Sequence, residues 1–95
     1  MRIPALEREI PGAEDSDFDP HLKAEAPRVW SLVQEDKIRE IYFRQDRSEA
    51  VLIVECQDIR EAKDMLHTPP LVQAGLMDFK LIPLRPYPGF ERLFG

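Results

Sequence analysis

The sequence predicts an α+β domain whose elements run β-α-β-β-α-β. Two observations carry this. Two stretches, Ile38 to Arg44 and Glu49 to Cys56, alternate or run apolar as strands do and are joined by the polar Gln45-Asp46-Arg47-Ser48. Two others, from Phe18 to Val33 and from Ile59 to His67, place apolar residues at three- and four-residue spacing, as helices do. With 95 residues the chain has room for one domain, spanning 1–95.

Met1 to Ile10 is read as the first strand. Pro4 has no amide to give a ladder, so it belongs near the strand's start or on an edge. Pro11-Gly12 ends it. An acidic stretch, Glu14 to Asp19, opens the first helix, with Asp19 as the expected cap and Pro20 at the first helical position. Phe18, Leu22, Ala26, Val29, Leu32 and Val33 form its apolar stripe over about 16 residues. Pro27 lies inside this pattern and is expected to kink or split it. The strand pair is expected to align Phe43 with Ala50, Ile41 with Leu52 and Arg39 with Val54. Its apolar face, with Ile41, Phe43, Ala50, Leu52 and Val54, is assigned to the helices. The opposite face carries Glu40, Tyr42, Arg44, Val51, Ile53 and Glu55 and is too apolar for plain exposure to water.

Asp58 is the expected cap of the second helix, Ile59 to about His67, which Thr68-Pro69-Pro70 stops. Leu71 to Gly75 reads as a turn, and Met77 to Leu84 as the fourth strand. The tail, Arg85 to Gly95, is rich in proline and aromatics and is expected to be a docked arm. The order of elements is that of a ferredoxin-like βαββαβ subunit: a four-stranded antiparallel sheet with two helices on one face. The other sheet face is left bare. A homodimer stacking two such sheets is the economical way to cover it.

Composition bounds the function. A charge of -5, from 13 Lys+Arg against 18 Asp+Glu, argues against a nucleic-acid partner. No apolar run approaches a membrane span and no leader opens the chain, so a cytoplasmic protein with no membrane partner is expected. A single cysteine, Cys56, allows no internal disulfide. No metal-ligand spacing and no glycine-rich phosphate loop occur, so no metal or cofactor is expected.

Three segments resemble a known family: helix 1 through Arg44, then Met65-Leu66-His67-Thr68-Pro69-Pro70-Leu71, then Phe79-Lys80-Leu81-Ile82-Pro83-Leu84-Arg85-Pro86. They look like the muconolactone isomerase-like family, in a branch with an added Pro88-Gly89-Phe90-Glu91-Arg92-Leu93-Phe94 tail. The resemblance implies a dimeric α/β barrel of ferredoxin-like subunits, with a possible higher ring of dimers. It also implies a cofactor-free isomerase that moves a double bond in a lactone or aromatic-derived acid. Tyr42 falls near a tryptophan of the family's enzyme.

Such chemistry needs a base, an acid and a group to hold enolate charge. Glu40, Tyr42 and Arg44 share one strand face. Arg44 suits a substrate carboxylate, and Glu40 or Tyr42 a proton shuttle. The competing reading is an ion pair at a dimer interface. His21 and Glu25 are one helical turn apart, so His21 is a second candidate base, against a solvated pair. Trp30 is a pocket wall or core residue. His67 reads as a helix terminus, and Cys56 as an inert buried thiol. Two further functions stay open on the same fold: a non-catalytic ligand-binding or assembly module, and a cofactor-free monooxygenase.

Overall fold

A computed structural model describes residues 1–95. The elements are β1 (Arg2–Glu9), α1 (Asp15–Gln34), β2 (Ile38–Phe43), β3 (Ala50–Glu55), α2 (Ile59–Leu66), α3 (Pro70–Gln73) and β4 (Met77–Leu81), followed by a 3-10 turn at Pro88–Leu93. The four strands form one open antiparallel sheet in the order β2-β3-β1-β4. This is the expected ferredoxin-like α+β arrangement. No helix is long and apolar enough to cross a membrane.

The helix-side face holds the core. Ile3 and Ala5 of β1, Ile38 of β2, Ala50, Leu52 and Val54 of β3, and Ala62, Met65 and Leu66 of α2 are buried there with Leu32 and Cys56. The alternation along β3 is complete: Ala50, Leu52 and Val54 are buried and the residues between them are half-buried. Pro4 sits in a central strand without breaking a ladder. Its carbonyl accepts the Ile82 amide at 2.9 Å, so its nitrogen lies on the side where β4 has already ended at Leu81. Pro83 then has no amide to extend the pairing, which is why β4 stops short of Leu84.

The β2–β3 register matches the expected pairs Phe43↔Ala50 and Ile41↔Leu52, but Val54 faces Ile38 and not Arg39. A bulge between Ile38 and Glu40 causes the shift. Strict alternation back from Ile41 would point Arg39 into the core. The extra residue lets Ile38 take that place, 2% exposed, while the Arg39 side chain turns out to donate to the Asp36 carbonyl.

Helix α1 also differs from expectation. It starts at Asp15, not Pro20, because Glu14 and Asp17 close its first turn: the Glu14 amide donates to the Asp17 carboxylate at 2.8 Å, and the Asp17 amide to the Glu14 carbonyl. Asp19 is therefore inside the helix and is not its cap. Pro20 and Pro27 both lie within it, and Pro27 does not split it. The two prolines are spaced by two turns and share an exposed face. The carbonyls they leave unpaired, on Ser16 and Lys23, belong to exposed residues and can bind water.

Asp58 caps α2 as expected, accepting the Glu61 amide at 2.8 Å. The 71–75 segment carries a short helical turn that ends at Gly75, whose φ of 75° suits glycine. The C-terminal arm leaves its large apolar side chains open to water. Tyr87 packs edge-on against Phe90, yet both are exposed, as are Leu93 and Phe94.

Candidate functional site

Val29, Leu32 and Val33 of the α1 stripe meet the core, but Phe18, Leu22 and Ala26 do not reach it. Only Leu32 of this helix is buried, while Leu22 is 50% exposed. Between α1 and the sheet lies a cavity of about 420 Å³. Phe18, Leu22, Ala26 and Val29 form its roof, Leu52 and Phe79 part of its floor, and Leu66, Pro69 and Leu71 lie at the α2–α3 junction. Ile41 and Phe43 stand at its open side, where Phe43 is 74% exposed.

In this apolar enclosure the polar side chains are Glu7, Glu9, Glu25 and Ser48. Glu7 arrives there by strand alternation. It follows Ile3 and Ala5 on the helix-side face, where the cavity replaces packed core. Pairing of β1 with β3 ends at Leu6↔Val51, and the Glu7 carboxylate takes over by accepting the Ala50 amide at 3.0 Å. Glu25 comes from the opposite wall. Its carboxylate accepts the Leu71 amide at 2.9 Å, one of the free donors that open α3. Close by, the Arg28 guanidinium donates to the Thr68 hydroxyl at 2.9 Å and fixes α1 against the same segment.

Each carboxylate is thus anchored by one oxygen, and the second oxygen has no hydrogen-bond partner in the chain. Burial pushes both carboxyls above the ordinary carboxylate range, and the single backbone hydrogen bond each accepts only partly offsets this. Their surroundings differ. Glu9, Glu49 and Glu25 raise Glu7 further by charge repulsion, whereas His21 acts to lower Glu25.

The residues singled out from the sequence lie elsewhere. Glu40 and Tyr42 do meet, with the phenol donating to the carboxylate at 2.8 Å, but on the bare face of the sheet. That bond holds the Tyr42 phenol above its ordinary value. Arg44 is drawn into the hairpin turn, where its Nε donates to Asp46 at 2.8 Å, and Glu49 lies 3.9 Å away. Trp30 is 60% exposed, and none of these side chains lines the cavity. His21 does not line it either, but is half-buried one turn from Glu25, close enough to act on its charge. Cys56 is buried, and its thiol is pushed up by that burial. No three His, Cys, Asp or Glu side chains converge as a metal set would require.

Glu7 was absent from the sequence-based site and Glu25 entered it only as the neighbour of His21, though each left a signal. Glu7 continues the inward alternation of Ile3 and Ala5, and Glu25 sits beside Leu22, Ala26 and Val29 on the apolar stripe. A carboxylate at a core-facing position either pairs or lines a cavity.

No protein-family model matches this sequence, and no curated protein does. Solved structures do match its fold. A crystal structure of muconolactone isomerase aligns with a TM-score of 0.74 at 16% identity, covering 93% of this chain and 92% of that one. The 5-chloro-2-hydroxyhydroquinone dehydrochlorinase TftG from Burkholderia phenoliruptrix AC1100, in complex with 2,5-dihydroxybenzoquinone, aligns with a TM-score of 0.69 at 18% identity, covering 90% and 94%. The chain therefore has the fold shared by these two enzymes, as the family resemblance implied.

Proposed function

We propose that this chain is a cofactor-free isomerase that moves a proton, and with it a double bond, on a small ring compound held between α1 and the sheet. The observation that carries this reading is the pair of half-buried carboxylates, Glu7 and Glu25, on opposite walls of an otherwise apolar cavity. Acid–base catalysis near neutral pH needs carboxyls raised by burial, and two whose surroundings separate their affinities for protons. The fold shared with muconolactone isomerase and with TftG, which binds 2,5-dihydroxybenzoquinone, supports a small cyclic ligand.

Roles follow from the surroundings. Glu25, beside His21, ionises more readily and acts as the base that removes a proton from carbon. Glu7, crowded by Glu9 and Glu49, retains its proton more readily. It donates a hydrogen bond to the developing enolate oxygen, as a neutral carboxyl in an apolar site can. The proton held on Glu25 then returns to a different carbon of the dienolate. Atoms balance within the substrate, and no oxidant or reductant is used. Glu40, Tyr42 and Arg44 belong in this reading to the contact between subunits.

The test is deuterium entry from D2O into unsaturated lactones and cyclic enones, followed by NMR. The native protein should catalyse exchange next to the carbonyl. Glu25→Gln should slow it by about 100-fold or more, the range for loss of a general base. Exchange at the native rate in both Glu25→Gln and Glu7→Gln would overturn the assignment. A second reading, a binding module without turnover, is favoured by the exposed Ile41 and Phe43 at the mouth, which suit capture of an apolar ligand. It predicts saturable binding with no exchange in any probe.

A further inference from the structure

We infer that the ligand this cavity accepts is uncharged, an aromatic or alicyclic body with hydroxyl or keto oxygens, and not a carboxylate or phosphate. The inference rests on the preceding reading in taking this cavity as the site, and it narrows the substrate class.

The charge pattern of the lining carries it. Acidic groups come from three positions, Glu7, Glu9 and Glu25, and no lysine, arginine or histidine lines the cavity. The nearby cations are engaged elsewhere. Arg8 is paired with Asp78, Arg28 bonds Thr68 and Ser31, Arg44 bonds Asp46, and Lys37 is paired with Glu61. Arg47 is paired with Glu49, and His21, which acts on Glu25, stands outside the lining. An anion entering here would lose its water without gaining a counter-charge, and would meet carboxylates at low local dielectric.

A hydroxyl-bearing ligand meets the reverse situation. The second oxygens of Glu7 and Glu25 have no partner in the chain, so each can accept a hydrogen bond from a ligand hydroxyl. When Glu7 carries a proton it can instead donate to a keto oxygen. The apolar walls, from Phe18 to Phe79, take the ring. At about 420 Å³ the cavity has room for one or two fused rings.

The experiment compares two ligands of the same shape, 2-naphthol and 2-naphthoate, by isothermal titration calorimetry on the full chain at pH 8. At that pH the naphthoate is charged and the naphthol is a neutral phenol. Naphthol should bind about tenfold tighter or more. In the Glu7→Gln, Glu25→Gln double variant, checked by circular dichroism for an intact fold, that ratio should fall towards one. Glutamine keeps a carbonyl for the Ala50 and Leu71 amides, so the variant removes charge without removing the anchors. Naphthoate binding as tightly as naphthol would overturn the inference while leaving the cavity reading intact. An unchanged ratio in the double variant would overturn it too, because the preference would then come from naphthoate hydration alone. Binding of neither ligand would remove the cavity as the site, and the inference with it.

Discussion

Glu7 and Glu25 occupy positions that favour chemistry over stability. Each is a carboxyl whose proton affinity is higher folded than unfolded, since burial is the largest influence on both. The folded protein then holds more protons than the unfolded chain across the window that begins near 4.5, the ordinary glutamate value, and extends upward to the raised folded values. Stability therefore falls as pH rises through that window, and the loss is complete above it. Glu7→Gln and Glu25→Gln should each raise stability at pH 7, by less than about 1 kcal/mol because both groups are partly screened by water. They should also flatten the slope above pH 4.5. Urea unfolding at intervals from pH 4 to 8 measures this, and a loss of stability at pH 7 in both variants would contradict it. Glu61 has the opposite sign. Its hydrogen bond from Lys37 lowers it, so its contribution is present above 4.5 and is lost as pH falls through the lowered value. The carboxylates were legible in sequence only as exceptions to pattern, one on an inward strand position and one on an apolar stripe. Glu40 and Tyr42 share a strand face as the alternation predicts, whereas Arg44 lies past the end of β2 and bonds Asp46 in the turn. What sequence spacing could not supply was which of the two sheet faces borders the cavity.

At the scale of elements, local signals fixed the strands and α2 better than α1. Asp58 before Ile59 and the prolines after His67 bracket α2, and its cap is made as read. Asp58→Ala should cost about 1 kcal/mol, as loss of an N-cap does, and a change within 0.3 kcal/mol in chemical denaturation would show that the cap is idle. The start of α1 was harder to read because Glu14, Asp15, Asp17 and Asp19 all offer oxygens to free amides. Only the reciprocal bonding of Glu14 and Asp17 selects the first turn. The prolines misled for a related reason: propensity treats Pro27 as a break, but a freed carbonyl on an exposed face is satisfied by water. Pro27→Ala restores that hydrogen bond and should stabilise the protein by ~1 kcal/mol or more. The gain stays below the roughly 3 kcal/mol helix penalty of proline because alanine also loosens the unfolded chain. A destabilised variant would mean that the ring itself is packed. The β2 bulge was invisible for a third reason. Strict alternation is the simplest register, and only the cost of burying Arg39 argues for adding a residue.

For the whole molecule, the bare sheet face sets the next question. Leu6, Val51 and Ile53 are half-buried at its centre, where β1 and β3 pair. Charged groups ring them, with the Arg8–Asp78 pair towards one edge and the Glu40–Tyr42 bond towards the other. An apolar middle with a polar rim is the anatomy of a protein interface. A symmetric pair of such sheets would present the same residues from both sides. The C-terminal arm points the same way. The chain spans 58 Å along its long axis against 29 and 21 Å across it. Phe94, 89% exposed, and Leu93 lie open to water in the single chain. Light scattering after size exclusion should therefore give the mass of a dimer or a multiple of it. Ile53→Glu places a charge opposite its symmetry-related neighbourhood and should shift the protein to monomer, with a loss of at least about 2 kcal/mol in association. Ending the chain after Leu84 should weaken association without unfolding the subunit, because Leu81 is the last strand residue and the arm contributes nothing to the buried core. A native protein that stays monomeric at high concentration would leave Val51, Ile53 and the arm aromatics without a physical reason for their chemistry. Association through the bare face and binding in the cavity are separable, since the cavity lies on the helix side of the sheet and Ile53 does not line it. The Ile53→Glu monomer should therefore still bind naphthol, and loss of binding along with the dimer would show that the partner subunit completes the site.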